Sequence, residues 1–241
     1  MTQIYSELKK RFQELCRQEK LLDEKVDVHA LVLTTEEAIG HPEDQDFPLQ
    51  KGKERLMQAK FRGKAGQAFT DQFGDFLGSL EEILAMPLGN NYRRAIFVAA
   101  LNAVLMYLGL IRGTIHCHDE SPQECAGELA RHIKERFGEV RVTQVGFQPR
   151  MVQEISSLLP LRLLDLDPDN IGVKKFGVVV EDPEKTADAL KWADVLLVTG
   201  TTLVNDTIGQ FLLDKPVIFY GTTVAGAAYL MGWDRFCPKS L

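Results

Sequence analysis

Two threonine-rich corners near the C-terminus hold the densest supply of hydrogen-bonding side chains in the sequence. The first is Thr199-Gly200-Thr201-Thr202, the second Tyr220-Gly221-Thr222-Thr223, and they close the apolar runs 195–198 and 217–220. Strands covered on both faces read as unbroken apolar runs. A Gly-Thr-Thr turn after such a strand sets hydroxyls and backbone N–H groups where a helix begins. Two neighbouring parallel strands ending this way would open one crevice at the carboxyl edge of a sheet, where open α/β sheets bind ligands. Asn205 and Thr207 lie in the first turn after Thr202, with Asn205 three residues beyond it on the same helical side. One cap needs one hydroxyl. This turn supplies Thr199, Thr201, Thr202, Thr207 and the Asn205 amide, so ligand contact is expected, with simple capping as the alternative.

Other residues point to other chemistries. Val145-Gly146-Phe147-Gln148-Pro149 stands where a dinucleotide fold carries its glycine-rich turn. With Gln148-Pro149 in place of two glycines, the close backbone approach to a pyrophosphate is lost, which disfavours NAD. Asp165 falls 19 residues after Gly146, where nucleotide-binding folds place a carboxylate for ribose hydroxyls. Methyltransferases that use S-adenosylmethionine place an acid there behind a looser turn. The competing reading is a strand-end aspartate in an Asp-rich turn with Asp167 and Asp169. In Ile115-His116-Cys117-His118-Asp119, extended backbone would put His116 and His118 on one face and Cys117 on the other. Two imidazoles suit zinc or copper but need a third ligand from elsewhere. There is no Cys-x-x-Cys pair, so a packed Cys117 beside surface histidines is favoured over a metal site. Cys237 has no neighbouring base in sequence and reads as a packed thiol. In the N-terminal half, Thr70-Asp71 ends a candidate strand and would act as hydrogen-bonding or general-base groups, or as a polar turn cap. The run Lys51, Lys53, Arg55, Lys60, Arg62, Lys64 would neutralise an acidic ligand or form a solvated strand face.

Periodicity assigns the elements that position these residues. Residues 2–22 read as an amphipathic helix. Residues 26–35 read as a strand with a hairpin partner at 37–40, 41–53 as a loop, and 56–69 as one strand. Residues 79–85 read as a short helix with a Ser79/Glu82 capping box. Residues 91–109 form the strongest helix, capped by Asn90 or Asn91, and 111–118 an extended link. A helix follows over 121–137, with Ser121 at its cap and Pro122 in its first turn. Strand–helix alternation then takes over: strands at 140–146, 161–166 and 176–180, helices at 151–158 and 183–192, then the two strands of the threonine corners. The order describes a small α+β unit followed by a doubly wound parallel sheet.

The 241 residues are 45% hydrophobic, enough for a sizeable core, and a net charge of −6 argues against nucleic acid or an anionic membrane as partner. The apolar run 95–111 contains Asn102 and is marginal for a membrane span, so a buried helix is expected. Four scattered cysteines suggest reduced thiols and a cytoplasmic setting.

The stretches Gly66-Gln67-Ala68-Phe69-Thr70-Asp71, Ala99-Ala100-Leu101-Asn102-Ala103, His116-Cys117, residues 145–149, residues 165–172 and Thr199-Gly200-Thr201-Thr202-Leu203-Val204-Asn205 together resemble the heavy-metal-chelation family, long filed under unknown function. The resemblance implies an enolase-N-terminal-like α+β domain, residues 1–90, followed by a Rossmann-like α/β domain, residues 91–241, with a site between them. It also implies condensation or hydrolysis chemistry on flavin-, pterin- or siderophore-like molecules, linked to metal handling.

Three readings follow. The first is an enzyme acting on an anionic or heteroaromatic metabolite, with Asp71 as base, Asn205 orienting and Asp165 holding hydroxyls. Thr70, Gly146, Gln148, Thr199, Gly200, Thr201, Thr202, Thr207, Gly221, Thr222 and Thr223 would bind the ligand. The second is a non-catalytic carrier of a metal or metal chelate, using His116 and His118, with Cys117 as a further candidate. The third is a methyltransferase dependent on S-adenosylmethionine. The cofactor and any homo-oligomeric state are left open.

Overall fold

The computed structural model describes residues 2–29, 55–117 and 121–241. The expected hairpin partner and loop over 37–53, the end of the strand over 26–35, Lys51, Lys53 and His118 lie outside the described residues, as do the side chains of Ser121 and Pro122.

Helix α1 (Gln3–Gln18) turns Tyr5, Leu8, Phe12 and Cys16 inward, the spacing of one buried stripe. Four antiparallel strands follow, β1 (Lys25–His29), β2 (Arg55–Phe61), β3 (Lys64–Thr70) and β4 (Phe76–Ser79), in the sheet order β3-β2-β1-β4. The expectation of one strand over 56–69 is corrected. The chain reverses at Arg62-Gly63, with φ +45° and +78°, and β2 pairs with β3 from Arg55 opposite Thr70 to Phe61 opposite Lys64. Two successive positive φ angles give a turn that matches strand twist, and the alternation on either side hid it. Helix α2 (Leu80–Ala85) carries the expected capping box, Ser79 and Glu82 each bonding the other's backbone N–H.

Helix α3 (Asn91–Tyr107) is capped by Asn90, whose side chain accepts from the Arg93 N–H at 2.9 Å. Every residue from Arg94 to Leu105 is buried, as expected for a helix that is apolar on nearly all sides and packed from both. Its alanines let β3 approach very closely: a Cβ on Gly66 would lie 2.2 Å from the Ala103 nitrogen.

The second half runs through α4 (Ser121–Phe137), β5 (Val142–Val145), α5 (Pro149–Leu158), β6 (Leu161–Leu164), β7 (Lys174–Lys175) and β8 (Val178–Glu181). It continues through α6 (Thr186–Trp192), β9 (Val195–Thr199), α7 (Thr201–Val204), β10 (Val217–Tyr220), α8 (Ala225–Met231) and β11 (Arg235–Phe236). The sheet order is β11-β10-β9-β5-β6-β8-β7, parallel except for β7 against β8. The strand expected over 176–180 begins only at Val178, because Phe176-Gly177 forms another turn with two positive φ angles.

Alternate residues of the central strands serve two cores. Val195, Leu197 and Ile218 pack with α4 and α5, whereas Leu196, Val198 and Phe219 join a cluster that runs through α3 into α1 and the antiparallel sheet. That cluster is continuous across residue 90, so α3 is shared by both sheets. Tyr5 Oη also donates to the Leu203 carbonyl at 2.7 Å, tying the first helix to the second half. No helix among the described residues is long and apolar enough to cross a membrane.

Candidate functional site

Strand order reverses at β5, with β6 on one side and β9 on the other. A cavity of about 650 Å³ lies off the carboxyl ends of β5, β6, β9 and β10, the position in which open α/β sheets hold ligands. Its far wall comes from the N-terminal half: Phe69 at the end of β3, Asp71 just beyond, and Asn91 at the start of α3. Both threonine corners, Gly146, Gln148, Asp165, Asn205, Thr207 and His116 line the same space.

The corners use their hydroxyls unevenly. Thr199 and Thr201 share a hydroxyl–hydroxyl bond of 2.7 Å, and Thr202 Oγ1 donates back to the Thr199 carbonyl at 2.7 Å. Thr207 Oγ1 donates to the Thr202 carbonyl at 3.4 Å. Thr223 Oγ1 accepts from the Phe69 N–H at 3.1 Å, stitching the second corner to β3. Thr222 Oγ1 is buried without a hydrogen-bond partner among the described residues, and buried hydroxyls rarely stay unpaired. The expectation that each corner opens a regular helix is corrected. Helix α7 has four residues, and α8, with seven, starts only at Ala225. Neither is long enough for aligned peptide dipoles to build up, so the corners contribute hydroxyls and turn backbone instead.

The second corner is set by Asn102 of α3, which is fully buried. Its Nδ2 donates to the carbonyls of Gln67 (2.9 Å), Thr222 (3.2 Å) and Thr223 (3.2 Å), and its Oδ1 accepts from the Gly226 N–H at 2.7 Å. One amide therefore fixes β3, the corner and the start of α8 together.

Across the cleft, Asn91 Nδ2 donates to Asp71 Oδ1 at 2.6 Å and reaches Asn205 Oδ1 at 3.2 Å. Arg94 holds the other end of the Asn91 amide and donates to the Val204 carbonyl. Asp71 and Asn205, from opposite halves, thus share one partner. Asn91 was read only as a capping candidate. The usable signal was the pair Asn90-Asn91: one asparagine suffices for the cap, and the second was left to act elsewhere.

Several expected ligand groups are occupied by the fold itself. Asp165 Oδ2 accepts from the Phe147 N–H at 2.6 Å and Oδ1 from the Asp167 N–H at 2.7 Å. This is the Asp-rich turn reading, although the residue still faces the cavity. Gln148 Oε1 accepts from the Met151 N–H at 2.6 Å and caps α5. Gly146 lies beneath Tyr220, whose hydroxyl donates to its carbonyl at 2.8 Å. Thr70 is buried, and its hydroxyl both donates to the Gln72 carbonyl (2.8 Å) and accepts from the Gln72 N–H (3.1 Å), the turn-cap alternative. From the basic run, Arg62 is bonded to Glu24 and to the Tyr107 hydroxyl.

The His116 ring meets Phe69 edge-on, with centroids 5.4 Å apart, and its backbone N–H donates to Gln67 Oε1 at 2.7 Å. Cys117, Cys125 and Cys237 also line the cavity; the place of Cys237 there has no sequence signal, because no spacing links it to the other two. Burial pushes the Cys117 and Cys125 thiols up to about 12. The described lining residues include Asp71, Asp165, Asp167 and Asp169 but no lysine or arginine. Among the described residues, no group of three or more His, Cys, Asp or Glu side chains is placed so that it could hold a metal ion.

The fold and the cleft define a two-sheet α/β protein with a cavity at the switch point of its parallel sheet. Residues 129–227 match the DUF364 family model, whose description reads "Putative heavy-metal chelation", and the resemblance read from the motifs is borne out. The chain is similar in structure to a protein of unknown function from that family in Pyrococcus horikoshii, with a TM-score of 0.57 at 16% identity over 91% of this chain and 79% of that one. A second such protein, from Desulfitobacterium hafniense, gives 0.51 at 14% identity over 73% and 72%. At these identities the likeness carries the fold alone. No curated protein matches.

Proposed function

We propose that the chain binds a small metabolite in the cleft and performs acid–base chemistry on it, of the condensation or hydrolysis type, with Asp71 as the base. The observation that carries this reading is the hydrogen-bonded set Asp71–Asn91–Asn205, which spans both halves on the cavity wall. Asp71 is exposed to the cavity and anchored through one oxygen, which orients the carboxylate while the other oxygen can take a proton. Asn205 faces the same space and would orient the ligand. The unpaired Thr222 hydroxyl offers a buried hydrogen bond to a ligand oxygen or nitrogen.

Phe69, Phe147, Met151, Leu164, Leu166 and Phe211 make much of the remaining lining, which suits a planar heteroaromatic body. With four aspartates in the lining and no lysine or arginine among its described residues, a neutral or cation-bearing ligand is favoured over a free anion. The same charge pattern favours, as a second reading, carriage of a metal chelate without turnover.

Native mass spectrometry of the purified protein, with elemental analysis of the same sample, tests the reading. A bound organic mass that is lost in Asn205→Ala while the melting profile is kept supports it, and the mass names the ligand class, adenosylmethionine included. Stoichiometric metal with no organic mass, unaffected by Asp71→Asn and Asn205→Ala, would overturn it in favour of the carrier.

A further inference from the structure

The hydrogens of the cleft wall are directed unevenly, and the pattern bears on what a ligand must bring. Asn91 Nδ2 carries two hydrogens, and both are in use, towards Asp71 Oδ1 at 2.6 Å and Asn205 Oδ1 at 3.2 Å. Behind it the Arg94 guanidinium is engaged with Asn91 Oδ1 and with the carbonyls of Leu88 and Val204. Thr202 and Thr207 give their hydroxyl hydrogens to carbonyls, so they offer a ligand only lone pairs. Thr199 and Thr201 use one hydrogen between themselves.

The turn between β5 and α5, where an open α/β sheet would seat a phosphate, is closed to anions. The Phe147 N–H donates to the Asp165 carboxylate and the Met151 N–H to the Gln148 side chain, each at 2.6 Å, and Pro149 has no N–H. A carboxylate therefore stands where phosphate oxygens would. Two observations mark what the cavity is shaped to receive. Thr222 lines it, is only 1% exposed, and has a hydroxyl with no partner among the described residues. A buried hydroxyl left open in this way fits a polar ligand that completes it. Asp71 Oδ1 and Asn205 Oδ1, from opposite halves, both lie within 3.2 Å of the same Asn91 nitrogen. The two acceptors therefore stand side by side, each with a lone pair to give.

We propose that the cleft ligand carries a planar nitrogen cation of the amidine or guanidine class, its N–H groups directed at the Asp71 carboxylate and the Asn205 amide oxygen; this names the substrate class of the metabolite site and rests on that reading of the cleft. Coplanar N–H donors match adjacent acceptors as a guanidinium matches a carboxylate. The flat body that carries such a head suits the Phe69, Phe147 and Leu166 walls. A carboxylate or phosphate head would set acceptors against acceptors and meet aspartates of like charge. Asp71 acts as counter-charge and as base from the same ionised state.

Benzamidine, benzamide and benzoate share one flat ring and differ in a head that is cationic, neutral or anionic. The test titrates each by calorimetry at pH 7 into the full chain, dialysed free of retained ligand. Benzamidine should bind with one site per chain, about 10-fold or more tighter than benzamide, and benzoate should give no saturable heat. Asp71→Asn keeps the shape and the bond from Asn91 while removing the charge. It should bring benzamidine down to the affinity of benzamide, leave benzamide itself unchanged and keep the melting profile. Benzoate bound as tightly as benzamidine, benzamidine held equally tightly by Asp71→Asn, or no binding of benzamidine at millimolar concentration would overturn the proposal. Native mass spectrometry of the undialysed protein separates the two readings. A retained, Asn205-dependent organic anion would leave the metabolite site standing and sink the cationic class. Benzamidine binding that depends on Asp71, in a protein that retains no organic mass, would uphold the class while withdrawing support from the retained metabolite.

Discussion

Replacing Asn102 should damage the fold far more than its size suggests. The side chain is wholly buried and serves four backbone groups: the carbonyls of Gln67, Thr222 and Thr223 and the N–H of Gly226. Asn102→Ala leaves all four without this partner and opens a small cavity. A buried polar group deprived of its bond costs about 1–3 kcal/mol, but the carbonyls keep a second lone pair and water can enter. The expected loss is therefore about 3–5 kcal/mol, a large share of the stability of an ordinary domain. Urea titration followed by circular dichroism and by fluorescence of Trp192 and Trp233 measures it. Asn102→Asp sharpens the test, because it keeps the shape and turns the donor into an acceptor that faces three carbonyls. Burial and those carbonyls would hold its folded-state pKa above the usual value of about 3.9. The variant should therefore be least impaired below about pH 4 and lose stability as pH rises to its raised folded-state value. Asn102→Ala within about 1 kcal/mol of the parent, or Asn102→Asp with the parent's pH dependence, would refute the assigned hydrogen bonds.

Two further outcomes are expected. Thr222→Val removes a buried hydroxyl that has no partner, so it should leave stability within about 0.5 kcal/mol of the parent or raise it, while lowering retention of the cleft ligand in native mass spectrometry. A stability loss well beyond that figure would show that the hydroxyl is already bonded. The second outcome concerns alkaline pH. Burial holds the Cys16, Cys117 and Cys125 thiols at about 12, against an ordinary value of 9.0. Below about pH 9 both folded and unfolded chains keep these protons, and the stability they confer is intact. As pH rises towards 12 the unfolded chain ionises first, and stability falls by up to about 1.4 kcal/mol per thiol per pH unit. Urea midpoints at pH 7, 9 and 10.5 should show a downward curve that flattens in Cys125→Ala.

Much of the architecture could be read in advance, for a physical reason that also marks where reading fails. The apolar runs ending at Thr199 and Tyr220, the Ser79/Glu82 box and the buried character of α3 are local patterns, and each appears where the pattern put it. The misread segments are those where a turn hides inside an alternating run. Arg62-Gly63 and Phe176-Gly177 reverse the chain with only one glycine each as signal. Threonine density named the cleft wall but not which hydroxyl stays unpaired. Thr202 and Thr207 bond carbonyls of their own turn, Thr223 accepts from the N–H of Phe69, which only the folded chain brings near, and Thr222 alone of these is left over. Asp165 shows the same limit. Its position suggested a ribose partner, yet two turn N–H groups take both oxygens. That Cys237 joins Cys117 and Cys125 on the cavity lining carries no sequence signal, because it shares no spacing with them.

Asn102 was at first simply the residue that interrupts an apolar run, but the geometry of α3 gives that interruption a purpose. Asn91 and Asn102 are eleven residues apart, which is close to three full turns, or about 16 Å of rise, and returns to nearly the same helical face. Arg94 lies one turn along from Asn91 on that face. All three reach into the C-terminal half: Asn91 to the Asn205 side chain, Arg94 to the Val204 carbonyl, Asn102 to the second corner and to Gly226. Asn91 and Asn102 also reach back to the N-terminal half, at Asp71 and at the Gln67 carbonyl. An otherwise apolar helix packed between two sheets would be free to slide or rotate by small amounts at little cost, since apolar contacts carry no direction. A polar stripe with fixed partners on both sides removes that freedom. It sets the distance between Asp71 and the threonine corners, and with it the width of the cleft. A variant that lengthens or turns α3 should therefore change ligand binding even when every lining residue is kept.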